Sequence, residues 1–207
     1  MSRKRKNRSV AKAYAVIVDG ETEQWYLQML RKNEPSLNVV IEPKLHVRQS
    51  LKEQCMQVEK ACKSYDKVFW VVDMDSILKD SKICKKNPTP LQILKDNIEI
   101  LKKSYPEIFV GVFNVPCLEF WFMLHYKYTS RFYESYEKLK PDLIKYLKGY
   151  QKNKDYFVRG PQDIYARLKE NLDTAVTNSR KLGDFDFANV SRGVSEFSKF
   201  FEQIGIA

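Results

Sequence analysis

Residues 68–75 read Val68-Phe69-Trp70-Val71-Val72-Asp73-Met74-Asp75. Five consecutive apolar residues of β-branched and aromatic type are too few for a helix and fit a strand buried on both faces. The aspartates end the run abruptly, so the strand is predicted to stop where the carboxylates begin. The same pattern recurs outward from it. Residues 13–18 form an apolar run that closes on Asp19-Gly20, residues 37–41 form one closed by Pro43, and residues 108–113 form a fourth. Helical spacing separates them, as in Trp25, Tyr26, Met29 and Leu30, or Leu91, Leu94, Ile98 and Leu101. Four short strands alternating with helices predict an α/β fold, a parallel sheet of about four strands with right-handed crossovers. A charged loop carrying Pro88 and Pro90 is expected after Asp75. Beyond the fourth strand the pattern is helical over about 117–128, 131–148, 162–178 and 190–204. The organisation expected is a basic flexible tail (1–12), an α/β domain (13–126), and a helical, basic and aromatic C-terminal region (127–207) packed on the same domain.

The 207 residues, 43% apolar and 13% aromatic, supply a sizeable core. The longest uncharged stretch in the middle of the chain, 108–118, is far short of the ~18 residues that span a bilayer, so no membrane partner is expected. The N-terminal apolar run is short and ends on Asp19, unlike a secretory signal. The four cysteines show no C-x-x-C spacing and there are two histidines, which points to reduced thiols in a cytoplasmic protein without a structural zinc site. P-loop, G-x-G-x-x-G and G-x-S-x-G motifs are all missing, which excludes those routes to nucleotide binding and acyl transfer.

The net charge of +10 is unevenly spread. Residues 1–8 contribute +5, and residues 127–160 contribute another +5 from 9 basic and 4 acidic side chains. That internal segment interleaves Lys145, Lys148, Lys152 and Lys154 with Tyr146 and Tyr150. Lysines can neutralise phosphates while aromatic rings stack on bases, so these six residues are candidates for binding nucleic acid, DNA or RNA. A helical pair with a solvated lysine face and half-buried tyrosines is the other reading.

Ligands in such sheets bind beyond the carboxyl ends of the strands, and two of those ends carry acids. With a strand's period of two, Asp73 and Asp75 are expected to point the same way. Paired carboxylates repel unless a cation neutralises them, and Mg²⁺ or Mn²⁺ prefers such oxygen ligands. If the two strands are neighbours, Asp19 converges on the same crevice, and Glu23, in the first turn of the next helix, adds a further oxygen. Each motif alone also reads as a helix cap. Glu119, inside an apolar run, is costly to bury without a partner. It reads either as paired with a nearby lysine or as a further ligand at the crevice. His125 reads as a packed histidine.

These residues resemble a known family. Asp19-Gly20-Glu21-Thr22-Glu23 with Tyr26 following, then Asp73-x-Asp75, then Asn114-x-Pro116-Cys117-x-Glu119-x-Trp121-x-x-Leu124-His125, resemble the RloB-like family, a Toprim-like group associated with bacterial abortive infection and anti-phage defence. Tyr150-Gln151-Lys152 is a weaker match. The resemblance implies a Toprim-like sheet and a metal-dependent nuclease, with Asp73 and Asp75 on the metal. It makes Asp19 acid/base and metal contact, with Glu23 and Glu119 completing the catalytic acids, and it implies an AAA-type ATPase partner. The resemblance covers about residues 13–155; the family commonly has Glu where this chain has Asp19, and the C-terminal third, with its 182–187 stretch, matches it poorly. Two other readings stand beside it. One is a non-catalytic nucleic-acid-binding or regulatory subunit. The other is a haloacid-dehalogenase-like phosphatase, from Asp73-Met74-Asp75-Ser76-Ile77-Leu78 with Gly183-Asp184. Self-association is left open.

Overall fold

The computed structural model describes residues 12–42, 49–159 and 162–206. The basic tail read over 1–12 lies, except for Lys12, outside the described residues. The four expected strands are present as β1 (Tyr14–Ile17), β2 (Val39–Glu42), β3 (Lys67–Asp73) and β4 (Phe109–Val115). They are parallel, and a short antiparallel strand, β5 (Val194–Ser195), extends the sheet to the order β2-β1-β3-β4-β5. This is the expected α/β architecture, with one strand more than the sequence indicated.

The strands read as continuous apolar runs because helices cover both faces of the sheet. Val16, Phe69, Val71 and Val112 point to one side, and Ala15, Ile17, Val68, Trp70, Val72 and Phe113 to the other. The first face receives α1 (Glu21–Asn33), α5 (Leu118–Leu124) and the C-terminal helices; the second receives α2 (Leu51–Cys62), α3 (Met74–Ile83) and α4 (Pro90–Ser104). Trp121 of α5 donates to the Tyr26 hydroxyl at 3.1 Å and stacks on Phe197 and Phe201, so one core runs from β1 to the last helix. No helix among the described residues is long and apolar enough to cross a membrane.

The helical expectations need several corrections. The charged loop expected after Asp75 starts only at Cys84, because α3 comes first; its Met74, Ile77 and Leu78 face the core, and its other residues are polar apart from the exposed Ile83, which hid the period. The span 131–148 holds only α6 (Tyr136–Leu143), which carries Pro141 and runs out in turns; α7 (Lys154–Val158) follows, capped by the Asn153 side chain. The span 162–178 divides into α8 (Ile164–Lys169), capped by Asp163, and α9 (Leu172–Leu182), which stops at Gly183 with φ 71°. The span 190–204 splits into β5 and α10 (Phe197–Ile204). Gly193 lets this strand approach closely, since a Cβ there would lie 2.5 Å from the Arg131 carbonyl and from the Phe120 ring.

Glu196, between β5 and α10, clamps this edge. Its buried carboxylate accepts from the Phe113 and Phe185 amides at 3.2 and 2.8 Å and pairs with Lys199 at 2.9 Å. Removing it leaves two buried N–H groups without an acceptor. Glu196→Ala is therefore expected to lower unfolding free energy by about 3 kcal/mol, read by urea denaturation. A loss of under about 1 kcal/mol would show that the clamp carries no weight.

Candidate metal centre

Strand order decides the site. β1, β3 and β4 are neighbours, in the register Tyr14↔Lys67 and Val68↔Phe109. β3 runs straight into α3, and two or three residues join β1 to α1 and β4 to α5, so three strand-to-helix junctions lie side by side at the carboxyl end of the sheet. The amides of Met74 and Asp75 both donate to the Pro116 carbonyl, at 2.9 and 3.0 Å, which ties the second junction to the third. Every junction places a carboxylate in the first turn of its helix: Glu23 in α1, Asp75 in α3 and Glu119 in α5. Helix N-termini favour negative charge. Asp73 is the last residue of β3 and precedes α3 directly, so it and Asp75 do not alternate along one strand as expected. They converge because the chain turns into a helix between them.

A cleft of about 350 Å³ opens on these junctions, lined among others by Asp19, Gly20, Glu23, Asp73, Asp75 and Lys152. Asp19 is exposed at its lip. Glu23 is buried and folds back over Gly20, where a Cβ would stand only 2.0 Å from its Oε2. Its Oε1 is buried without a hydrogen-bond partner. Burial, opposed by Lys152 and reinforced by Glu119, pushes the Glu23 carboxyl up to about 7. Asp73 accepts from Asn114 Nδ2 at 3.2 Å. Burial and then the Glu23 charge hold its carboxyl well above the usual range, and burial raises Asp75 as well.

Glu119 does not line the cleft; it lies beneath it, fully buried. Its Oε1 accepts from the Tyr150 hydroxyl at 2.8 Å and pairs with Lys152 Nζ at 3.1 Å. Glu119 is thus paired with a lysine, the first of its two readings, and it is that lysine, not the carboxylate, that lines the acidic cleft. Burial alone would lower the Lys152 ammonium, but Glu119, Cys117, Asp73 and Glu23 together hold it above its ordinary value. The ammonium also lies 4.9 Å from the Tyr136 ring centroid. The buried Cys117 thiol is raised by burial, then by Glu119 and Asp73.

Two residues expected on a nucleic-acid surface meet Glu119 here. Tyr150 is 2% exposed and spends its hydroxyl on Glu119, so its ring is not open to a base. Lys152 pairs with Glu119 and keeps its side chain exposed in the cleft. Lys148 and Lys154 are exposed, Lys145 pairs with Asp142, and Tyr146 stacks on Tyr126. His125 is packed and held neutral, its pKa lowered by burial to about 4. Asp184 pairs with Lys199 and does not line the cleft, which removes the second acid that the phosphatase reading requires.

Sequence reasoning assigned no role to Cys117 or Asn114, although both stand in the Asn114-x-Pro116-Cys117-x-Glu119 motif. Ligand atoms of Asp73, Cys117 and Glu119 lie within 4.8 Å of one another, a group able to hold a metal ion. Towards the cleft, Glu23, Asp73 and Asp75 offer only oxygens, the donor set hard divalent cations prefer. The unpartnered Glu23 Oε1 is the feature such an ion would satisfy.

A mostly parallel α/β sheet with acids gathered at the carboxyl ends of adjacent strands makes this an α/β protein compatible with a Toprim-like fold. The chain matches the family model described as RloB-like protein over residues 14–203, most of its length, and belongs to that family. Neither a curated protein nor a solved structure matches it.

Glu23 also makes stability depend on pH. Between its ordinary value of 4.5 and about 7 the folded chain keeps a proton that the unfolded chain has released, so Glu23 subtracts stability as pH rises through that window. Metal-free Glu23→Gln is expected to gain on the order of 3 kcal/mol relative to wild type between pH 5 and pH 8, read by urea denaturation in EDTA. An unchanged difference between the two pH values would contradict this.

Proposed function

We propose that the chain is a metal-dependent nuclease that hydrolyses phosphodiesters in DNA or RNA. The observation that carries this reading is the cleft itself: Glu23, Asp73 and Asp75 line it together with one ammonium, and a buried oxygen of Glu23 has no partner. Glu23, Asp73 and Asp75 would hold Mg²⁺ or Mn²⁺. Such an ion, when bound, polarises a phosphoryl oxygen and lowers the pKa of water.

The chain's own groups supply the rest. Lys152, anchored from below by Glu119, presents positive charge to a substrate phosphate. Tyr150 holds the other side of that anchor. Before a cation binds, Glu23, with its carboxyl near 7, is partly protonated at neutral pH, and it would release that proton to serve as a ligand. Asp19, at the open lip, is placed to meet water or substrate rather than to be sealed inside, and acts as base or further ligand. The anti-phage role and the AAA-type ATPase partner that the resemblance implies belong to this proposal. A non-catalytic nucleic-acid-binding or regulatory subunit is the second reading. It is favoured by the commitment of Glu119 to Lys152 and Tyr150, which leaves fewer acids for chemistry.

Calorimetric titration of Mn²⁺ into wild type and Asp73→Asn/Asp75→Asn tests the metal, and hydrolysis of labelled oligonucleotides tests the chemistry. Wild type is expected to bind and cleave, and the variant to lose about 100-fold or more in each. Binding without cleavage would favour the subunit reading. No Mn²⁺ binding by wild type, alone or with an uncleavable oligonucleotide, would overturn the proposal.

A further inference from the structure

A second concavity, of about 280 Å³, shares no lining residue with the acidic cleft. Its wall includes the end of α5, the segment that follows it, and α6. Lys127, Arg131 and Lys145 line it against a single carboxylate, Asp142. That carboxylate is fully engaged. It accepts from Arg131 Nη1 at 3.0 Å, from Lys145 Nζ at 2.5 Å and from the Tyr133 hydroxyl at 2.8 Å. Asp142 therefore fixes two cations side by side while cancelling the charge of one. Lys127 makes no ion pair among the described residues, so the pocket keeps an excess of two positive charges.

Its remaining wall is aromatic. The Arg131 guanidinium lies over the Tyr133 ring, 4.9 Å from the centroid. Tyr146 stacks nearly parallel on Tyr126, with centroids 5.7 Å apart and planes 11° apart, and remains 38% exposed. A ring backed by another ring is a stiff platform, and its open face can accept a further flat group. Clustered cations beside such a platform combine the two contacts that hold a nucleotide: phosphate neutralisation and base stacking. A surface for an acidic peptide would need the charges but not the ring.

We propose that this pocket binds single-stranded nucleic acid, with a phosphate among Lys127, Arg131 and Lys145 and an unpaired base on Tyr146. Bases stacked within a duplex cannot lie on that ring, so the geometry selects single strands or splayed ends. The pocket lies towards the far end of α5 from Glu119. Seven helical residues at 1.5 Å each span about 10 Å. The inference deepens the nuclease reading by naming the form of its substrate, but the binding itself needs no metal.

The test is fluorescence polarisation in EDTA, with labelled oligo-dT, oligo-U and a duplex of equal length. One single strand at least is expected to bind about tenfold or more tighter than the duplex, and the tighter of the two identifies DNA or RNA. Lys127→Ala/Lys145→Ala should weaken binding and flatten its dependence on log salt by about one. Tyr146→Ala should weaken it by roughly tenfold or more while Tyr146→Phe retains it. Thermal melts of each variant separate lost binding from lost fold. Equal affinity for duplex and single strand, a polyglutamate peptide competing as well as oligo-dT, or folded variants that bind like wild type would each overturn the proposal. Tight single-strand binding without Mn²⁺-dependent cleavage would sink the nuclease reading alone. Cleavage by wild type, undiminished in folded pocket variants that bind like wild type, would sink the pocket alone.

Discussion

The ion pair between Lys152 and the fully buried Glu119 is the interaction on which the candidate site depends. A carboxylate sealed beneath a cleft and left alone would cost several kcal/mol. Glu119 instead accepts from Tyr150 and Lys152. It thereby fixes an ammonium in the cleft that Glu23, Asp73 and Asp75 also line. The positive charge is single and the acids around it outnumber it. Burial is what raises Glu23 and Asp73; for Glu23 the Lys152 charge opposes it more than Glu119 reinforces it, and for Asp73 the Glu23 charge adds to it. The rest of the fold supplies what holds like charges together: three parallel junctions in register, three helix N-termini, and the aromatic packing of α1, α5 and α10 behind them.

Much of the fold was legible because its strands are buried on both faces. Runs such as 68–72 have no polar residue to interrupt them, and the acids that end them mark the functional edge. What the sequence concealed is short or depends on partners far along the chain. Helix α3 shows only three core-facing residues. Strand β5 is two residues long, and its Ser195 is buried by a hydrogen bond to Asn114 rather than by apolar character. The helical spacing read over 190–204 belongs to α10, and Gly193 with its close approach to Arg131 marks where the strand intervenes.

The site was legible on the same terms. Asp19, Glu23, Asp73 and Asp75 announce themselves at strand ends, and the strand order brings them to one cleft. Tyr150 and Lys152 could not be read in this way. Nothing local to Tyr150-Gln151-Lys152 says that its partner is Glu119, 31 and 33 residues earlier. Their composition suggested an outer, nucleic-acid-facing role. The basic segment in fact divides. One part turns inward to balance the acidic cleft, and another, around Arg131, Lys145 and Tyr146, faces a separate pocket. Excess charge in a segment states how much cation there is, whereas burial decides what each cation serves.

The central claim is that this cleft is a divalent-cation site built from Glu23, Asp73 and Asp75 above the Lys152–Glu119 pair. The most direct measurement is anomalous diffraction at the manganese edge from crystals of the full chain grown with Mn²⁺. The account predicts a peak within coordinating distance of Glu23 and Asp73, lost in crystals of Asp73→Asn/Asp75→Asn. Well-ordered crystals with no peak in the cleft, and with Glu23 Oε1 meeting a protein donor or a water instead, would contradict it.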